Sequence, residues 1–348
     1  MDETVQGFVL AAGFGQRMLP ITESVPKPLL PIGRLPLIGY SLRLLAHHGI
    51  TDVTVNLHHL GRAVRDALGD GSAYGVKLTY SQEDEILGTG GGIKRMYEHL
   101  DSTVVVLNSD TVLDLDLHAV LAEHRARRAL ATMVLRHDPE HAEGGRVGLD
   151  AASRIVEVPG YGENIKPSRR LMFTGVHVLE PRFLEYLPPN IHSCIIRYGY
   201  AKALQNNEYL YGTLMQGYWA DAGTPGRYYA LHCDALGQRL RLRHADPLAG
   251  YALTAKREVA EVVRMGEAVE LGAETHLTPP VLLGDHVRLG DRSVIGPGVV
   301  LGDRVQVGRE AQIADSVVMD GVKVEAGAHL RRVLVGKKGS LKLADELP

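Results

Sequence analysis

The chain has 348 residues, 45% of them apolar and 23% charged, and a formal net charge of −3. That length suggests two domains, and the near-neutral balance gives no electrostatic case for nucleic acid or an anionic membrane. Two cysteines make neither a disulfide framework nor a metal-ligand spacing, the Met1-Asp2-Glu3 start is acidic, and no apolar run has membrane-span length, so a cytoplasmic protein is expected.

In chain order, an apolar run from Phe8 to Ala12 reads as a buried strand that opens into Gly13-Phe14-Gly15. Glycine leaves backbone N–H groups able to approach phosphate oxygens, and Arg17 and Lys27 follow to meet further negative charge. Pro26 and Pro28 predict a stiff extended segment around Lys27. Leu37 to His48 is predicted helical, with Leu37, Ile38, Leu42 and Leu45 on one face. Strands are predicted at Asp52 to Leu57, Lys77 to Tyr80, Val104 to Leu107, Thr132 to Arg136 and Phe173 to Leu179, with helices between several of them. This alternation argues for an α/β domain over 1–240, with a Rossmann-like, mostly parallel sheet covered by helices on both faces. Ligands of such sheets bind outside the carboxyl ends of the strands, where the glycine loop sits. Residues 241–270 read as a linker, helical over Ala255 to Met265. From Leu271 a six-residue period runs through nine hexads with Leu, Ile, Val or Met first, ending at Val324. The register then slips by one, and Val324 and Leu330 suggest a closing partial coil. Such a period requires a stack of repeats around an aliphatic column.

Four strings carry chemistry. VLAAGFGQRMLPITESVPKPLLPIG, residues 9–33, is similar to the signature of the nucleotide-sugar pyrophosphorylases, the sugar-1-phosphate nucleotidyltransferases, with Gln16 in place of the usual threonine or serine. Glu83-Asp84-Glu85-Ile86-Leu87-Gly88-Thr89-Gly90-Gly91 resembles the segment that holds the base in that family, Ile86 replacing its proline. Leu107-Asn108-Ser109-Asp110 resembles its N-G-D, and Trp219-Ala220-Asp221-Ala222-Gly223-Thr224-Pro225 its W-x-D-x-G-T-P. The hexads resemble left-handed parallel β-helices, here three coils over 271–324 within a domain reaching 336, followed by a tail over 337–348. The resemblance spans about residues 5–235 and 271–336.

The resemblance implies a nucleotidyltransferase making a nucleotide sugar and pyrophosphate. It implies nucleotide contacts at Leu10, Ala11, Ala12, Gly13, Gly15, Glu83, Gly88 and Thr89, and catalytic roles for Arg17, Lys27 and Asp110. Mg²⁺ would be held on Asp110 and Asp221, two carboxylates suited to a hard cation that keeps several waters. Sugar contacts would come from Gly148, Glu157, Thr174 and Gly175. Val158 stands where the family has a lysine for the sugar's phosphate; Arg146 and Lys166 are nearby in sequence. The small residues at 88–92 would let a flat ring lie against the backbone. A carboxylate only accepts hydrogen bonds, so Glu83 would suit guanine N1–H and N2–H. Together with 88–93 this favours GTP and mannose 1-phosphate or a related sugar, with UTP-dependent uridylyl transfer as the alternative. A non-catalytic regulatory homologue and a β-helix acyltransferase are rival readings. The substrates would be the only small-molecule partners, with self-association through the β-helix. His47-His48 and His58-His59 lack zinc-site spacing and read as surface or loop residues.

Overall fold

The structure, a computed structural model, describes residues 4–96, 99–137, 146–162, 165–256 and 262–343. Contacts divide the chain into two units: 1–14 with 37–219, and 15–36 with 220–348. By these contacts residues 15–36 group with the carboxyl-terminal half.

The first unit is built on a nine-stranded sheet. Its elements are β1 Val5–Leu10, α1 Leu37–His47, β2 Asp52–Leu57, α2 Gly61–Leu68, β3 Lys77–Gln82, α3 Gly88–Lys94, β4 Thr103–Asn108 and α4 Leu117–Arg127. There follow β5 Ala131–Arg136, β6 Arg146–Leu149, β7 Ile155–Glu157, β8 Arg169–Leu179, α5 Ala201–Gln205 and β9 Leu210–Leu214. The strands β3-β2-β1-β4 are parallel, and β1 lies between β2 and β4. Val104 to Leu107 are fully buried, as continuous β-branched runs in a two-sided parallel sheet must be. The predicted face of α1 is fully buried too. The sheet is mixed rather than mostly parallel: β8 runs antiparallel to β4, β5 and β6. The long β8 spans both neighbours because its register breaks between Phe173 and His177, a bulge that adds twist.

The second unit holds α6 Pro225–Leu236 and a left-handed β-helix of three parallel sheets. The stack starts before Leu271: Val263 pairs with Val281. Ala252–Lys256 and Val262–Met265 form antiparallel strands where a helix was expected over Ala255 to Met265, and 257–261 lie outside the described residues. The valines at 262 and 263 are buried because the first coil offers an open sheet edge, which outweighs the helical spacing of this short segment.

The slip also lies elsewhere. Val281 pairs with Val299, eighteen residues on, but Val299 pairs with Ser316, seventeen on. One residue is lost at the corner after Ile313, so a fourth full coil runs from Ser316 through Lys323–Val324 to His329–Arg331. Val318, not Met319, then follows Leu301 in the column. The glycine in second place in six of the nine hexads is steric: a Cβ on Gly272 would stand 2.5 Å from the Asp291 nitrogen, and one on Gly284 2.7 Å from that of Asp303.

Candidate active site

In the first unit, β1 ends at the carboxyl edge of the sheet and Leu10 to Ala12 continue from it. The Ala11 N–H donates to Asn56 Oδ1 at 2.8 Å, and the Ser109 N–H donates to the Leu10 carbonyl at 3.1 Å. Asn56, the penultimate residue of β2, turns its other group outward: Nδ2 donates to Glu83 Oε1 at 2.7 Å. Glu83 Oε2 accepts from the Leu87 N–H at 2.8 Å. The Glu83 side chain is thus spent on the protein, 1% exposed, in a chain of bonds that fixes the loop after β1 to the loop before α3. The expected acceptor for a guanine edge is a buried brace.

The glycines of α3 have a similar explanation. A Cβ on Gly88 would lie 2.6 Å from the Ser193 carbonyl oxygen, one on Gly91 2.6 Å from that of Ile191, and one on Gly92 2.7 Å from Glu83 Oε1. Gly90 N–H donates to the Ser193 carbonyl at 2.8 Å, and Thr89 Oγ1 accepts from the Ile195 N–H at 3.0 Å. The run is small so that 191–195 and the Asn56–Glu83 pair can pack on it. Gly88 itself has φ +70, the left-handed region that favours glycine.

Asp110 follows β4, two residues beyond Asn108, whose carbonyl accepts from the Ser41 hydroxyl at 3.1 Å. Gly175, at φ +90 in the β8 bulge, brings its backbone close to the Asn108 side chain. Thr174 is fully buried and its hydroxyl donates to the Val134 carbonyl at 2.7 Å, while its own carbonyl accepts from Trp219 Nε1 at 2.8 Å. Its side chain presents nothing to a sugar, contrary to expectation. Gly148 and Glu157 are paired across β6 and β7, and Glu157 Oε2 accepts from Arg170 Nε at 2.8 Å. Val158, in the lysine position, is 1% exposed and part of the core. Lys166 is exposed, and the Arg146 side chain lies outside the described residues. Arg170, on β8 and 43% exposed, is brought beside Glu157 by the register of the β6–β8 pairing.

In the second unit, Gly13 and Phe14 having belonged to the first, the signature continues as three 3₁₀ turns, Gln16–Met18, Ile21–Glu23 and Lys27–Leu29. Gly15 has φ +65, and its carbonyl accepts from Met18 N–H at 2.9 Å and Thr22 Oγ1 at 3.0 Å. A Cβ there would press on Thr22 and on the Lys27 Cβ at 3.2 Å, so Gly15 and Lys27 are neighbours. Pro26 is extended as predicted, but Lys27 opens a turn instead of continuing the extended chain. Arg17 is exposed, and a Cβ on Gly223 would lie 3.3 Å from its Nη2. Beside it, Asp221 accepts from the Gly223 N–H at 2.7 Å and from Arg227 Nη1 at 2.9 Å. Thr224 caps α6, with Pro225 at its first turn, which aims Arg227 back at Asp221.

The segment is anchored to the β-helix by its hairpin, Pro31–Ile32 with Leu35–Pro36. Arg34 meets both oxygens of Asp285, at 2.5 and 2.8 Å, and stacks on Tyr251. The guanidinium holds the Asp285 carboxyl down at about 2. The Tyr228 hydroxyl donates to the Pro31 carbonyl at 2.6 Å.

The two adjacent histidine pairs are not simply surface residues. His48 is 8% exposed, and His58 is partly buried with Nδ1 3.0 Å from the Glu83 carbonyl.

A mixed sheet with a glycine loop after its first strand, a braced second loop and a carboxylate after the fourth defines a nucleotide-handling α/β enzyme fold. The profile of the nucleotidyl transferase family matches residues 6–238, and this chain belongs to that family. Residues 277–344 match the GMPPB C-terminal domain. The chain is 34% identical over 251 residues to an N-acetylmuramate alpha-1-phosphate uridylyltransferase of Neisseria meningitidis, covering 71% of this chain and 99% of that protein. It is 31% identical to a UTP–glucose-1-phosphate uridylyltransferase of Synechocystis, covering 65% of this chain, and 32% identical to a mannose-1-phosphate guanylyltransferase of Mycobacterium tuberculosis, covering 64%. The chain spans 62% of the length of each of these last two. A crystal structure assigned as a glucose-1-phosphate thymidylyltransferase from Bacillus anthracis, in complex with sucrose, superposes with a TM-score of 0.58 at 25% identity, over 66% of this chain and 94% of that one. Among the described residues no helix is long and apolar enough to cross a membrane.

Proposed function

We propose that this protein transfers a nucleotidyl group from a nucleoside triphosphate to a sugar 1-phosphate and releases pyrophosphate. The observation that carries the reading is the grouping of Gly15, Arg17 and Lys27 on one short turn-rich segment, with Arg17 beside Gly223. Two cationic side chains on one glycine-started segment suit a triphosphate. A sugar 1-phosphate is already an anionic nucleophile, so no general base is needed. The work is to offset repulsion between two polyanions and to align attack on the α-phosphorus opposite the leaving pyrophosphate.

In this reading Arg17 and the backbone from Gly13 to Gly15 hold the triphosphate, and Lys27 meets charge developing at the reacting phosphates. Asp110 and Asp221 are the carboxylates for a divalent cation, Mg²⁺ being the hard ion their oxygens suit. Such an ion, when bound, offsets phosphate charge. Asp221 also carries Arg227 and the Gly223 N–H, which fix its carboxylate in place. Arg170 supplies the cation that Val158 lacks, its partner Glu157 orienting it toward the sugar's phosphate.

GTP with mannose 1-phosphate is the preferred pair, supported by the match to the GMPPB C-terminal domain and by relatives named as mannose-1-phosphate guanylyltransferases. UTP is the second reading, favoured by the two relatives named as uridylyltransferases. Exposed Leu253 and Leu271 support self-association through the β-helix, and two free cysteines support a reducing, cytoplasmic setting. A panel of nucleoside triphosphates against sugar 1-phosphates, read as pyrophosphate release, tests the reading. GTP with mannose 1-phosphate should give the highest kcat/KM, and Arg170→Met should raise the sugar phosphate KM about tenfold with little change in that for the nucleotide. No turnover with any pair defeats it.

A further inference from the structure

A second cluster of chemistry-bearing side chains lies in the first unit, where the end of α1 meets the start of α4. His48, Asp116 and His118 place one ligand atom each within 4.8 Å of one another. The three come from sequence positions that no spacing rule connects, one from the turn after α1 and two from an Asp-x-His at the start of α4.

His48 is the informative member. Its side chain is 4% exposed, and its Nδ1 stands 2.9 Å from the Leu44 carbonyl oxygen. A carbonyl can only accept, so the proton of the neutral ring sits on Nδ1, and the Nε2 lone pair is left facing the cluster. A backbone carbonyl on one ring nitrogen is also how ligating histidines are held in the correct tautomer. His48 Nε2 lies 4.0 Å from Asp116 Oδ1, and the rings of His48 and His118 stand 4.9 Å apart. Asp116 and His118 are exposed, and Asp116 Oδ1 accepts from the Ala119 N–H at 3.0 Å. Closing to the ligand separations of a tetrahedral zinc, roughly 3.3 Å for bonds of about 2.0 Å, takes rotations of two surface side chains.

We propose that His48, Asp116 and His118 bind a borderline divalent transition ion, zinc above all, as a clip between α1 and α4. Two imidazoles and one carboxylate with a remaining solvent position form a donor set that suits zinc and does not suit the hard cation of the proposed catalytic chemistry. The clip is separate from Asp110. His48 lies seven residues along the chain from Ser41, the residue bonded to the Asn108 carbonyl, which is roughly 10 Å of helical rise.

The test uses the full chain stripped of metal and titrated with Zn²⁺ alone against a chromophoric chelator, with Co²⁺ absorption as the second readout. The wild type should bind one equivalent at micromolar or tighter Kd, show the intense visible bands of low-coordinate Co²⁺, and gain thermal stability with added Zn²⁺. His118→Ala, on an exposed position, should lose that equivalent or weaken it at least tenfold. Asp116→Asn should weaken it less while still capping α4, because the amide oxygen still accepts from the Ala119 N–H that the carboxylate now holds at 3.0 Å. Asp110→Asn should leave it unchanged. A wild type that binds no Zn²⁺, or one whose binding His118→Ala leaves intact, overturns the proposal, and loss of the same equivalent in Asp110→Asn would reassign it to the catalytic carboxylate.

Discussion

The two units hold their functional residues by different means. In the first, buried side chains act as braces: Ala11, Asn56, Glu83 and Leu87 form one continuous run of short hydrogen bonds at the sheet edge. In the second, Arg17 and Lys27 ride on a segment of three short turns that runs into a hairpin fastened to the β-helix through Arg34 and Asp285. The first arrangement is local and stiff, since its bonds are buried or partly buried, where an unmade one is costly. The second is remote: a partly exposed ion pair ties the segment that carries Arg17 and Lys27 to the β-helix.

Variants at four positions separate these two modes. The largest effect belongs to Asp110, where Asn removes the charge without changing shape: turnover should fall roughly a thousandfold with an unchanged melting temperature, read by pyrophosphate release and calorimetry. Next is the brace. Glu83→Gln replaces one acceptor by an N–H group facing either Asn56 Nδ2 or the Leu87 N–H, and Asn56 cannot flip without releasing Ala11. Stability should drop by about 1.5–3 kcal/mol, and kcat/KM for GTP and UTP should fall together. A selective loss of GTP would restore Glu83 as a reader of the base.

In the second unit, Gly284→Ala puts a methyl 2.7 Å from the Asp303 nitrogen of the next coil. Denaturant unfolding should show a loss of about 2 kcal/mol, comparable to overpacking a core. The smallest effect is Arg34→Met, about 1 kcal/mol for a half-exposed pair, with a distinctive pH signature. The Asp285 carboxyl titrates at about 2 in the folded chain against an ordinary 3.8, so its contribution is full above about pH 4 and disappears as pH falls toward 2. The gap in melting temperature between wild type and Arg34→Met should therefore be constant from pH 7 to 5 and close below 4. A gap that persists at pH 2.5 would mean that Arg34 acts through Tyr251, on which it stacks, and not through charge.

Much of this was legible in the sequence where a short string carries both its chemistry and its local structure. Leu37, Ile38, Leu42 and Leu45 give the buried face of α1, and the aliphatic hexads give the β-helix, because period alone decides both. The four motifs are found where their residues could be placed on loops after strands. What stayed hidden depends on partners far along the chain. Glu83 looks like a free acceptor until Asn56 and Leu87 are seen to use both its oxygens. The small residues at 88 to 92 look like room for a ring until 191–195 packs on them. The lost residue near Asp315 is invisible to a hexad count because Met319 happens to be apolar, and only the pairing of Leu301 with Val318 shows the true column. His48 looked like a solvated histidine because burial against α4 is a tertiary fact.

The fastening of Arg34 to Asp285 also sets an order of events during synthesis. The two residues are 251 positions apart, so the loop leaves the ribosome long before its anchor exists. At about 5–20 residues per second that interval is roughly 10–50 s, during which the sheet of the first unit can assemble while Arg17 and Lys27 have no fixed place. A chain cut short before Asp285 would carry residues 9–33 complete and still lack the carboxylate that Arg34 grips.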